Sequence, residues 1–360
     1  MRGADFIIVG QGIAGSCLAF ELLERGASVS IIDDDWRGAA CLVAAGVINP
    51  ITGQRLVKSW RSSVAHPYAR GFYQNLESRL CGKFFHDRKI LQLCKSPEES
   101  ELWRRRAGES GYAEFMSEPS ADENFGALDD SFGAHFIGHS AWVEPPAIMR
   151  AFRDYFIARG VLEVGAFDFT RFSPEDGTYR GEKFKKTVFC DGWRVLQNPY
   201  FSWLPYRPAK GEILTMKTDE FLPEHIIHRG NWIMKNGANT FRIGSTWERE
   251  KLDCEPTDAG EAELLKALPR MFKRPIAAEV QERSAGVRPC TATTRPHLGE
   301  HPKFKNVLSF NGFGSKGYAL SPYFAKHFVD WIYGKCDLDS EANLTRHLRK
   351  FWAGARCASH

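Results

Sequence analysis

Apolar residues recur along this chain in two rhythms. Phe6 to Val9 and Val29 to Ile32 are short unbroken apolar runs, the pattern of strands buried on both faces of a parallel sheet. Between them, Ser16 to Leu23 has the spacing of a helix packed on that sheet. Thr187 to Cys190 and the run VLSFN from Val307 add further strand signals, and the second leads into GFGSKGYALSP, a glycine-rich turn opening a helix. The other rhythm is alternation. PYRPAKGEIL (205–214) and WIMKNGANTFRIGSTW (232–247) alternate in polarity around NG and GAN turns, which predicts a hairpin-rich antiparallel sheet. Residues 38–53, GAACLVAAGVINPITG, are small, apolar and glycine-rich, and suit backbone threading close beside a ligand.

At 360 residues, with 43% hydrophobic and 26% charged residues, the composition is that of an ordinary globular protein of up to two domains. Lys plus Arg exceed Asp plus Glu by only 48 to 44, so the charge argues against a dedicated nucleic-acid binder. The runs Arg104–Arg106 and Lys183, Lys185, Lys186 read as solvated faces. Nine cysteines without a CxxC pair, and histidines without ligand spacing, predict neither a disulfide framework nor a metal site. With no leader pattern after MRGAD and no apolar run of membrane-spanning length, a cytoplasmic protein without membrane contact is expected.

The loop between the first strand and helix reads Gly10-x-Gly12-x-x-Gly15. Gly10 permits the tight turn, Gly12 admits a pyrophosphate close to the backbone, and Gly15 allows close helix-to-strand packing. Free N–H groups and the positive dipole end at the helix start, Ile13 and Ala14 included, favour phosphate. The second strand ends in Asp33, placed to accept both hydroxyls of an adenosine ribose, with Asp34 beside it. These features imply a dinucleotide and leave NAD and FAD both open.

The ordered set GQGIAG, Asp33, AAGVINP, strand-DGW, RPAKGE, GSTW, GVRPxTxxxxPxxG and NGFGSKG…SP resembles the D-amino acid oxidase superfamily of FAD-dependent amine oxidoreductases over nearly the whole chain. It looks most like the glycine and sarcosine oxidase branch and the oxidase half of the bifunctional tRNA methylaminomethyl-uridine enzyme. That resemblance implies an α/β (α+β overall) fold: a Rossmann-type FAD-binding domain interleaved with an antiparallel-sheet substrate domain. The boundaries expected are 1–82, 140–200 and 286–360 for the FAD domain, and 83–139 with 201–285 for the cap. It further implies noncovalent FAD held by the glycine loop, Asp33, Asp34, Ala45, Gly46, Val47, Asp191, Gly192, Gly312, Gly314, Ser315, Lys316, Gly317 and Tyr318. Two positions depart from the family: Asp191 stands where Ala or Thr is common, and Trp232 where a tyrosine is common.

The same resemblance places Arg288 on the substrate carboxylate, a role suited to a planar guanidinium fork. Lys316, at a helix start, is expected to favour charge arriving on the flavin. Trp232, Met234 and Trp247 come from the hairpin that the family places over the flavin, where Trp232 and Trp247 are expected to wall the pocket, and Lys58 to approach the flavin. The expected reaction is oxidation of the C–N bond of a small amino acid or secondary amine, with oxygen or another molecule as electron acceptor. Two alternatives are oxidation of a tRNA wobble-uridine side chain and a flavin-binding protein without activity.

Overall fold

The structure, a computed structural model, describes residues 4–35, 39–120, 122–349 and 351–352. Gly38, the first residue of the glycine-rich segment, lies outside them. Two large sheets both contribute to the wall of one cavity.

The first sheet has the order Leu162–Val164, Val29–Asp33, Phe6–Val9, Lys186–Phe189, Val307–Asn311, His297–Glu300. All neighbours are parallel except the last pair. Its unbroken apolar runs are explained by burial on both faces. Phe6 and Ile8 join a core with Leu18, Phe20, Phe324 and Phe328, while Ile7 and Val9 join another with Phe189 and Phe201. Helix Ile13–Glu24 packs against Gly317–Ile332, which also meets Ser62–Leu80. The first helix starts three residues before its apolar spacing begins, because Gly15 interrupts the pattern within the first turn.

The second sheet runs Glu279–Arg288, Ala209–Lys217, Thr240–Gly244, Asn231–Lys235, Ile226–Arg229, Ile90–Leu93, Ala134–Ile137, Met116–Ser117. Its pairs are antiparallel apart from Ile226–Arg229 with Ile90–Leu93. Alternation along each strand sorts side chains to two faces. Leu91, Leu214, Ile227, Ile233 and Ile243 pack on one face with Leu264 of helix Asp258–Ala267. Gln92, Ile213, His228 and Trp232 turn the other way, toward a large cavity between the sheets.

The small-residue segment crosses that cavity. Ala40–Val43 forms a one-turn helix, and Val47–Ile48 then pairs with Ala141–Val143. Arg242 clasps it by donating to the carbonyls of Val43 (2.5 Å) and Ala44 (3.1 Å). Among the described residues no helix is long and apolar enough to cross a membrane, and no cluster of His, Cys, Asp or Glu is arranged to hold a metal ion.

Candidate active site

The cavity has a volume of about 1220 Å³. That exceeds the roughly 300–1,000 Å³ of sites for drug-sized ligands, and leaves room for an extended dinucleotide beside a small substrate. Its walls come from chain segments as far apart as Gly10 and Ala319.

At one end, the Phe6–Val9 strand stops at Gly10, whose φ of +99° suits glycine. A Cβ there would lie 2.7 Å from the Cys190 carbonyl oxygen, and one on Gly15 would lie 2.0 Å from the Gly10 oxygen. Gly10, Gly12, Ile13 and Ala14 line the cavity; Gly15 does not, and its part is to let the helix close onto the loop. No side chain caps the helix at Gly12, so its first N–H groups remain available to an anion. Asp33 lines the cavity at the strand end, where one carboxylate oxygen accepts from the Gln11 amide (2.8 Å). Arg153 reaches the other at 3.4 Å and donates to Gln11 Oε1 at 2.8 Å. Asp34 also lines it and accepts from Arg194 at 2.6 Å.

Asp191 and Gly192 line the crevice where the sheet order turns from one side of Phe6–Val9 to the other, the usual ligand position of an open α/β sheet. The Asp191 carboxylate accepts from Asn198 Nδ2 (2.8 Å) and Asn311 Nδ2 (2.9 Å). Burial outweighs those bonds and pushes its pKa up to about 6. Ala45, Gly46 and Val47 form part of the wall. A Cβ on Gly46 would sit 1.9 Å from the Val143 carbonyl oxygen, so only glycine fits there.

Gly314, Ser315, Lys316, Gly317 and Tyr318 line the cavity where the last helix begins. The Tyr318 hydroxyl donates to the Cys41 carbonyl oxygen at 2.6 Å, tying this helix to the small-residue segment. Burial, with Arg295 nearby, lowers the Lys316 pKa. Gly312 is not in the wall. Its φ of +87° turns the chain, and a Cβ would lie 2.8 Å from Thr291 Cγ2, so it shapes the loop without facing the cavity.

The second sheet supplies the other end. Arg288, the last residue of its strand, lays its guanidinium over Gly211, where a Cβ would come within 1.8 Å of Nη2. Nη1 donates to the Lys210 carbonyl (3.1 Å), and Nη2 to Ser245 Oγ (2.7 Å) and the Thr246 carbonyl (3.3 Å). Trp247 covers it, ring centre 4.7 Å from the guanidinium carbon, while remaining 53% exposed. No carboxylate pairs with Arg288 among the described residues. Burial lowers its pKa, yet a guanidinium stays charged, so the cavity contains a cation balanced only by neutral acceptors. Trp232 lies against Gly244, where a Cβ would be 2.6 Å from Cζ2 of the indole.

Two further residues lie off the cavity wall. Met234 is packed in a core with Ile90 and Trp142 and does not line the cavity. Lys58 is exposed, with its ammonium over Tyr112 (5.1 Å) and Phe115 (5.6 Å), away from the cavity. Cys290 does not line the cavity either. Sequence reasoning missed Gln11, Gln92, Arg153, His228 and Ser245. Of these, His228 had a legible signal, its place between the apolar pair Ile226–Ile227 and the turn at Gly230 that leads into the Trp232 strand.

The family model for FAD dependent oxidoreductases (DAO) matches residues 5–331. Glycine oxidase of Bacillus licheniformis is 25% identical, with 92% of this chain and 93% of that protein covered. The bifunctional tRNA 5-methylaminomethyl-2-thiouridine biosynthesis protein of Idiomarina loihiensis is 22% identical, over 89% of this chain and 54% of that protein. Among solved structures, glycine oxidase from Geobacillus kaustophilus superposes with a TM-score of 0.78 at 21% identity, covering 96% of this chain and 100% of that one. The glycine cradle, the acid after the second strand and the size of the cavity all fit the cofactor that the family uses. The chain therefore belongs to the FAD-dependent oxidoreductase family of D-amino acid oxidase, and its cofactor is FAD.

Proposed function

We propose that this oxidoreductase acts on the C–N bond of a small amino acid or secondary amine that carries a carboxylate. The observation supporting this reading is Arg288, a charged fork that faces the cavity with no acid beside it. A buried cation without a counter-ion is costly, and a substrate carboxylate relieves that cost while two parallel hydrogen bonds fix its orientation. Gly12, Ile13 and Ala14 offer N–H groups to the pyrophosphate, and Asp33 offers a carboxylate oxygen to the ribose hydroxyls. FAD so held, without a covalent link in this reading, supplies a two-electron acceptor for the substrate C–H bond.

The chain's own residues do the rest. Arg288 positions the carboxylate, and with it the adjacent carbon. Trp232 and Trp247 exclude water from the reacting bond and shape the pocket. Lys316 and the N–H groups at the start of the last helix favour negative charge where they face the cavity. An amine bound deprotonated supplies its lone pair to the forming C=N bond as the C–H bond breaks, so no protein base is required. The imine then takes up water to give an oxo acid and the freed amine. Residues 83–139 and 201–285 act in this reading as the substrate cap, and oxygen or another acceptor completes the cycle.

The test is Arg288→Leu. Substrate affinity is expected to fall by at least 100-fold, read from the amine concentration that half-saturates anaerobic flavin bleaching, with FAD still bound. Arg288→Lys should recover part of the loss. Unchanged affinity in Arg288→Leu would overturn the assignment.

A further inference from the structure

Resting on that reading, a second polar site in the cavity bears on which amine is taken. Sheet register aligns Gln92, His228, Trp232, Gly244 and Ile213 in one row across five strands. Residues paired in this way project from the same face. Gln92, His228, Trp232 and Ile213 line the cavity, and the apolar side chains of Ile90, Ile137 and Ile226 surround the Gln92–His228 end. Within that apolar wall, a histidine and a glutamine are the polar exceptions.

Their hydrogen bonds define the imidazole. The Gln92 side-chain amide donates to Glu99 Oε1 (3.2 Å) and to the Leu93 carbonyl (3.4 Å), so its oxygen is turned to His228 Nδ1 at 2.8 Å. An amide oxygen only accepts, so Nδ1 carries the hydrogen and Nε2 is left with a lone pair. Nε2 is then the polar atom that His228 offers to the cavity. Burial, with Lys95 nearby, pushes the His228 pKa down to about 4, which keeps the ring neutral at physiological pH.

We propose that His228, oriented by Gln92, is a specificity-determining site that selects amino acids whose side chain ends in an uncharged hydrogen-bond donor, such as a carboxamide. A distal carboxylate brings its own lone pairs against Nε2, and a distal ammonium is opposed by the Lys95 charge. An apolar terminus leaves the imidazole nitrogen desolvated and unpaired. The Arg288 guanidinium leans inward over Gly211, three strand intervals from His228, roughly 14 Å across the sheet at the usual strand spacing. One molecule meeting both must therefore be longer than glycine.

The experiment is anaerobic flavin bleaching of the holoenzyme by both enantiomers of glutamine, glutamate, lysine and norleucine, together with glycine. Glutamine is expected to be favoured over norleucine and glutamate by at least tenfold in second-order bleaching rate. In His228→Phe that ratio should collapse toward one. Gln92→Leu, which frees the imidazole to change tautomer, should lower it by a smaller factor, and keeps the test available if His228→Phe folds poorly. Preference for glutamate or norleucine, or a glutamine preference that survives both substitutions, would overturn the inference. Bleaching by glycine with no dependence on the distal group removes this inference alone. Failure of every amine to bleach a bound flavin removes the oxidation reading, and this inference with it.

Discussion

At the nucleotide end of the cavity the backbone is the working surface. Gly10, Gly12, Ala14 and Gly46 present N–H and C=O groups along a wall from which side chains have been removed, and Asp33 is an exception next to its own loop. At the sheet end the working groups are side chains. Arg288, Trp247, Trp232 and His228 come from positions up to 60 residues apart and line one cavity because the strands of the second sheet, and the turn after Gly244, carry them to its wall. At Gly10 and Gly46 an added Cβ would meet a backbone carbonyl, which cannot swing aside. A side-chain site tolerates substitution structurally but changes what it binds.

The largest expected effect tests the first half of that contrast. Gly15→Ala places a methyl group 2.0 Å from the Gly10 carbonyl oxygen and 3.2 Å from the Cys190 Cβ. The cost is on the order of 4 kcal/mol or more, with loss of bound flavin. Thermal unfolding and the visible absorbance of the purified protein measure both, and a yellow protein of wild-type stability would break the comparison at its root.

Next is Asp191, the one buried acid of the nucleotide end whose pKa is raised. The unfolded chain releases this proton near pH 3.8 and the folded chain near pH 6, so the folded state binds the extra proton between those values. Stability accordingly falls as pH rises from about 4 to about 6 and is level above that, for a total of roughly 3 kcal/mol. Asp191→Asn should remove this contribution, seen as a changed difference in urea midpoint between pH 4 and pH 7. An identical difference in both proteins would show that the carboxyl is not held up.

The sheet end is probed by Gly211→Ala. The new methyl group occupies the space of the Arg288 guanidinium, which is the end of a flexible side chain and moves aside. Half-saturating amine concentration should rise about 100-fold, near 2.7 kcal/mol, with stability and FAD content close to wild type. Loss of flavin with unchanged amine affinity would reverse the assignment of the two ends. The smallest effect is expected where the ends meet. Arg242→Met removes two hydrogen bonds to Val43 and Ala44 and loosens the small-residue segment. The FAD dissociation constant should rise about tenfold, near 1.4 kcal/mol, measured by recovery of free-flavin fluorescence, and Arg242→Lys should restore part of the affinity.

The two ends were also unequally legible. The glycine spacing, the apolar strand before it and the acid after the next strand lie within 28 residues, from Phe6 to Asp33, and each is a local requirement of backbone geometry. The strand pattern likewise separated the unbroken runs of the first sheet from the alternation of the second. Lys58 lies near cavity residues in the chain, and only packing shows that it faces elsewhere. Arg153 was invisible because it reaches Asp33 from 120 residues away, out of an ordinary amphipathic helix.

The amino-acid sequence by itself determined the strand and helix pattern and the loop that receives phosphate, since these depend on residues close together in the chain, and the order of its motifs along the whole chain pointed to the family and to FAD. The tertiary structure decided which side chains share the substrate cavity. It paired His228 with Gln92 across 136 residues and laid Arg288 on Gly211 beneath Trp247. Period-two alternation names the face of a strand, but register between strands depends on the packing of the whole sheet, and only register brings those groups together.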